Sequence, residues 1–180
     1  MSEHVALYDT TLRDGAQQEG ISLSVADKLA ALPIVDELGV DYIEGGWPGA
    51  IPKDTQFFQR ARGIQLRHAR LAAFGATTKA GVRASEDRQV AGLAESGASV
   101  VTLVAKSDPR HVTRALRTTL EENLRMVRDT VEYLTGEGID VMVDLEHYFD
   151  GLAFDPSYGI EVMLEAARAG AVAVIPCDTN

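Results

Sequence analysis

Val100-Val101-Thr102-Leu103-Val104-Ala105 and Ile139-Asp140-Val141-Met142-Val143-Asp144-Leu145-Glu146 are two β-rich runs, and one long amphipathic segment, roughly Leu116 to Thr135, lies between them. Strand, helix and strand in that order form the βαβ unit, which makes its two strands parallel and its crossover right-handed. The unit repeats in both directions along the chain. Val5 to Tyr8, Val40 to Glu44, Leu71 to Gly75 and Ala171 to Ile175 read as four more strands. Ser24 to Leu38, Asp54 to Arg62, Ser85 to Ser96 and Pro156 to Ala169 read as four more helices, and Gly39, Gly63, Gly97, Gly136, Gly138 and Gly170 are placed to end them. Six strands and five helices in alternation are an α/β pattern that can close into a barrel or stay open as a doubly wound sheet. A (β/α)8 barrel typically needs about 250 residues. In 180 residues the barrel reading is therefore an incomplete one. It makes 1–180 the N-terminal part of a single catalytic domain, with the last two strands and any C-terminal regulatory domain absent.

Composition narrows the class of function. The chain is 46% apolar, enough for one sizeable core, and carries a net charge of −10. That balance argues against nucleic acid and anionic membranes as partners, since both reward basic patches. A single cysteine, Cys177, rules out an internal disulfide framework and fits a cytoplasmic protein. No Gly-rich phosphate loop of the dinucleotide or Walker type is present, and small-molecule chemistry of another kind is expected.

The candidate chemistry lies where strands end, because parallel α/β folds build their sites at the C-terminal ends of strands. In the fifth strand Val141, Val143 and Leu145 share one face and Met142, Asp144 and Glu146 the other, so the acidic face turns toward the barrel interior or crevice. Tyr42 and Glu44 repeat the pattern in the second strand. Asp14 follows the first strand next to Arg13, and Asp178 follows the sixth. Asp14, Glu44, Glu146 and Asp178 are thus expected at one end of the sheet, where so many anions require a compensating cation. A divalent metal, Arg13 and Lys106 are the available answers. His4, His68, His111 and His147 show no i, i+2 or i, i+4 ligand spacing and read as structural or solvent-facing, with His147 on the strand face opposite Glu146. Cys177 reads as a packing residue, and Thr77 and Ser107 as helix caps.

Several motifs in order then resemble one family. Asp9-Thr10-Thr11-Leu12-Arg13-Asp14-Gly15 with Gln17, Tyr42-Ile43-Glu44-Gly45-Gly46-Trp47-Pro48-Gly49, Pro52-Lys53-Asp54, Lys106-Ser107 with His111, Glu146-His147-Tyr148-Phe149-Asp150-Gly151 and Cys177-Asp178-Thr179-Asn180 are similar to the metal-dependent acyl-CoA condensing enzymes and lyases. That family includes the 2-isopropylmalate, homocitrate and citramalate synthases and hydroxymethylglutaryl-CoA lyase, and the likeness is strongest to its citramalate synthase branch. The resemblance implies a TIM-type barrel that binds a divalent metal (Mg, Mn or Zn) and condenses acetyl-CoA with a 2-oxo acid, pyruvate first, as a homodimer in amino-acid biosynthesis. It implies Asp14 as a metal ligand and Arg13 as the cation that stabilises the developing negative charge. Glu146 and Thr179 would position the oxo acid, and Gln17 would support the metal and substrate. The other metal ligands that it implies, a His-x-His pair and an Asn, have no counterpart in these residues. These 180 residues by themselves are therefore expected to bind metal weakly and to be inactive.

Overall fold

The computed structural model describes residues 5–179, and His4 lies outside them. Six parallel strands run β1 Tyr8–Asp9, β2 Tyr42–Gly46, β3 Arg70–Ala76, β4 Val100–Lys106, β5 Asp140–Glu146 and β6 Ala173–Pro176, and they neighbour one another in sequence order. Sequential parallel order is what repeated right-handed crossovers produce. The sheet curls, since Tyr8 on β1 and Ala173 and Ile175 on β6 line one cavity with residues of β2 and β5. Among the described residues seven α-helices accompany the strands: α1 Val25–Asp36, α2 Pro52–Ala61, α3 Arg88–Ala94, α4 Pro109–His111, α5 Leu120–Gly136, α6 Tyr148–Phe154 and α7 Pro156–Arg168. Among the described residues no helix is long and apolar enough to cross a membrane.

Local chemistry explains where these helices begin. Ser24 and Asp27 close a capping box at the start of α1. Asp87, Thr119 and Asp155 accept first-turn N–H groups at α3, α5 and α7, and Pro156 opens α7 where its missing N–H costs nothing. The helix expected from Leu116 begins instead at Leu120. Residues Val112–Leu116 form a π-helical turn closed by Arg117 at a φ of 54°, and the Thr119 cap fixes the new start. Helix α4 is too short for a 3.6-residue pattern to repeat, and α6 starts from His147 without a side-chain cap, so neither shows in the sequence pattern. The first strand starts three residues later than expected and the last strand two, and each ends one residue later.

The alternation read in β5 holds. Val141, Val143 and Leu145 are fully buried toward the helices, together with Leu12, Leu32, Phe57, Phe58, Leu93, Leu103 and Leu134. A second, smaller apolar group of Ala72, Val100 and Met142 floors the concave side, joined by Tyr8, Tyr42, Ala173 and Ile175. The convex side is thus a conventional sheet and helix core. The concave side changes from apolar to charged toward the C-terminal ends of the strands, which is where the candidate site lies.

Candidate active site

The turn after β1 places Arg13 by folding back on itself, with the amide groups of Arg13 and Gly15 both donating to the Thr10 carbonyl at 3.1 Å. Leu12 anchors the turn in the core, so the next side chain must face the concave side. The Arg13 guanidinium meets three partners there. Its Nε donates to Glu44 Oε1, its Nη1 donates to Asp14 Oδ1 at 3.2 Å, and its Cζ lies 3.8 Å above the Phe74 ring. Trp47 packs edge-on against that same ring, with centroids 5.5 Å apart. Among the described residues no hydrogen bond engages Nη2, and the side chain is 17% exposed.

Glu44 is fully buried. Its second oxygen accepts from the Tyr8 hydroxyl at 2.9 Å, and that hydroxyl lies 2.7 Å from Thr102 Oγ1. Burial pushes the Glu44 carboxyl above its usual range, opposed by Arg13 and the Tyr8 hydroxyl and reinforced by the nearby Asp14 charge. A bulge in β2 between Glu44 and Gly46 lets the strand end here and turn toward α2.

A second charged group stands on the other side of the mouth. Lys106 at the end of β4 donates to Glu146 Oε2 at the end of β5, the two residues being register partners. Desolvation lowers the Lys106 pKa. Ser107 is completely buried and donates from Oγ to the Glu146 carbonyl at 2.9 Å, so it pins the strand end rather than capping a helix as expected. Asp108 takes the cap of α4 instead. Thr179 comes near through its side chain, its Oγ1 accepting the His147 backbone N–H at 2.9 Å.

The expected convergence of anions is therefore resolved into two ion-paired groups, Asp14 and Glu44 around Arg13, and Glu146 with Lys106. Asp178 is exposed. Gln17 is also exposed and lines a small side pocket with Arg13, Lys28 and Asp54, away from the pair at Glu146. His147 is not on a strand face: with a φ of 54° it forms the N-cap of α6, and its ring meets His111 edge-on at 4.5 Å. Cys177 borders the central cavity, and burial holds its thiol up at about 11, which suits packing better than nucleophilic attack. The one metal-ligand candidate, Asp14, is 62% exposed in its side chain and already paired with Arg13. Among the described residues no three His, Cys, Asp or Glu side chains come together to hold a metal. A single carboxylate does not make a divalent site, so these residues by themselves do not fit the ion.

Asp144, not among the expected site residues, shares a strand face with Glu146 through their two-residue offset. It lines a cavity of about 410 Å³ with Tyr8, Tyr42, Glu44, Met142 and Cys177. Desolvation, then the Glu44 charge, raise its pKa to about 6, with Arg13 opposing. A carboxyl raised in the fold from an ordinary 3.8 is destabilising once ionised. Stability should accordingly fall as pH climbs from about 4 to about 6 and then level, by about 2–3 kcal/mol in all. The difference in denaturation free energy between Asp144→Asn and the parent protein should grow across that window; parallel curves would exclude the shift.

Residues 4–180 match the HMGL-like family. The chain belongs to the HMGL-like family. It is 59% identical to an (R)-citramalate synthase of Streptomyces coelicolor over 97% of this chain and 33% of that protein. It is 49% identical to an (R)-citramalate synthase of Aquifex aeolicus over 100% of this chain and 34% of that protein. The chain thus spans about a third of the length of the curated synthases it matches. Among solved structures, hydroxymethylglutaryl-CoA lyase from Pseudomonas aeruginosa superposes with a TM-score of 0.72 at 23% identity, covering 94% of this chain and 56% of that one. The six curled strands are a TIM-type barrel wall, as the family resemblance implied and the βαβ repeat alone did not decide.

Proposed function

We propose that these residues form the N-terminal part of the catalytic barrel of an (R)-citramalate synthase, which joins acetyl-CoA to pyruvate. The observation that carries the reading is the 59% identity to a protein of that name along nearly the whole chain. The geometry supports it through Arg13, a guanidinium held on three sides beside an acidic cavity. Loss of a proton from the methyl group of the acetyl thioester creates an enolate, whose carbon attacks the keto carbon of the oxo acid. Negative charge then moves to the former keto oxygen, and a fixed guanidinium stabilises such charge most where water is scarce. Glu146, kept in place by Lys106, and the Thr179 hydroxyl position the oxo acid, with Gln17 supporting from the adjoining turn. Hydrolysis of the thioester releases CoA and makes the sequence irreversible. Asp14 offers one oxygen donor toward a divalent ion, too few to hold it alone. The reading extends, from the family resemblance, to a homodimer in the cytoplasm, and the single cysteine suits such a reducing compartment.

The test is substrate choice in the full-length protein. Thiol release from acetyl-CoA is expected to be fastest with pyruvate among pyruvate, 2-oxoisovalerate and 2-oxoglutarate. Preference for either larger oxo acid would move the protein to another synthase of the family, and thiol release with none of the three would reject condensation.

A further inference from the structure

The hydrogen bonds that hold Glu44 reach across the concave face to a residue with no place in the proposed chemistry. Thr102 on β4, Tyr8 on β1 and Glu44 on β2 form a chain whose last member grips Arg13. A phenol has one proton to give, and a carboxylate is the stronger acceptor, so the Tyr8 hydroxyl donates to Glu44 and Thr102 donates to the Tyr8 oxygen. Both Glu44 oxygens are then occupied, Oε1 by Arg13 and Oε2 by Tyr8. The carboxylate cannot rotate without losing one of them. The Tyr8 ring is itself set against Tyr42, with centroids 5.8 Å apart, which fixes where its hydroxyl reaches.

We propose that Tyr8 is a positioning residue for the condensation: by bridging Thr102 and Glu44 its hydroxyl fixes the carboxylate that holds Arg13 at the mouth of the cavity. The inference rests on the citramalate synthase reading only for the reaction it names. A tyrosine that merely filled the core could satisfy its hydroxyl on any carbonyl, whereas this one completes the single buried carboxylate paired with the candidate catalytic cation. Glu44 faces Tyr8, Arg13 and Asp14 from β1 and its turn, Thr102 from β4 and Asp144 from β5. Of these, Arg13 and Tyr8 favour the ionised carboxylate, while Asp14 and ionised Asp144 oppose it. Without the Tyr8 hydroxyl the balance moves toward protonation, and a protonated Glu44 no longer holds a guanidinium by charge.

In the full-length protein, Tyr8→Phe should lower kcat/KM for pyruvate about tenfold, the usual worth of a hydrogen bond to a charged group. Its acid limb should move to higher pH by about one unit. Thr102→Val should move the limb the same way by less, and the double variant should be no worse than Tyr8→Phe alone. The carboxyl carbon resonance of Glu44, titrated without substrate, should follow the same order. Tyr8→Phe with an unmoved Glu44 midpoint would overturn the proposal, whatever its melting temperature. If Tyr8→Phe does not fold, Thr102→Val decides by the same titration. Should the parent protein fail to turn over pyruvate, the substrate reading fails while the titration still tests the link from Tyr8 to Glu44.

Discussion

Replacing Arg13 by lysine in the full-length protein should reduce kcat/KM for acetyl-CoA and pyruvate by about 10²–10³-fold, although the charge is retained. The reason is geometric. The guanidinium makes three contacts in three directions, Nε to Glu44, Nη1 to Asp14 and its flat face on Phe74, and among the described residues no hydrogen bond engages its Nη2. An ammonium is a point charge with no flat face, and drawn to the fully buried Glu44 it would abandon the mouth of the cavity. The loss should fall mainly on kcat, because the interaction is strongest with charge that develops during carbon–carbon bond formation. Folding should change little, since lysine still neutralises Glu44. Steady-state kinetics together with a melting curve check both halves. A lysine variant within fivefold of the parent would remove Arg13 from the chemistry.

The features legible in the sequence were those generated by periodicity and by strand parity. The βαβ repeat gave six parallel strands in order, and the alternation in β5 placed Val141, Val143 and Leu145 outward and Asp144 and Glu146 inward. Parity says which face a side chain shares and not which neighbour it pairs with. So Arg13 and Lys106 were recognisable as compensating cations, but that Arg13 takes Glu44 and Lys106 takes Glu146 depends on register and curl between segments far apart in the chain. Tyr8 and Thr102 are 94 residues apart, and nothing local marks them as partners. Ser107 misled because a serine after a strand usually caps the next helix, whereas here the cap passes to Asp108 and the buried hydroxyl ties two strand ends together. His147 misled because a left-handed backbone at a non-glycine position has no local signature. The three-residue α4 lies below the length at which amphipathic spacing can be read, and α6 opens at the left-handed His147 with no side-chain cap to mark its start.

The largest stability effect is expected away from the cavity, at Asp54. Its carboxylate is 3% exposed and accepts from Lys28 Nζ at 2.6 Å and from the Trp47 N–H at 2.9 Å, and Lys28, 2% exposed, also donates to the Gly45 carbonyl at 3.0 Å. The pair therefore ties α1 and α2 to the end of β2. Gly46 makes the close approach possible: at a φ of 141° it presents no side chain, and a Cβ there would lie 2.4 Å from the Asp54 carboxyl carbon. Asp54→Ala leaves an ammonium with one carbonyl for company and an amide with no acceptor, which should cost about 3–5 kcal/mol. Lys28→Met should cost a similar amount by stranding the carboxylate. The double variant Lys28→Met with Asp54→Ala should lose less than the sum of the two single losses, because neither charge is then left alone. Urea denaturation of the four proteins closes the cycle. A loss below about 1 kcal/mol in Asp54→Ala would mean that the pair is solvated in solution. Because this same loop carries Trp47 onto Phe74, and Phe74 carries Arg13, the destabilised variants should also lose activity before they lose their fold.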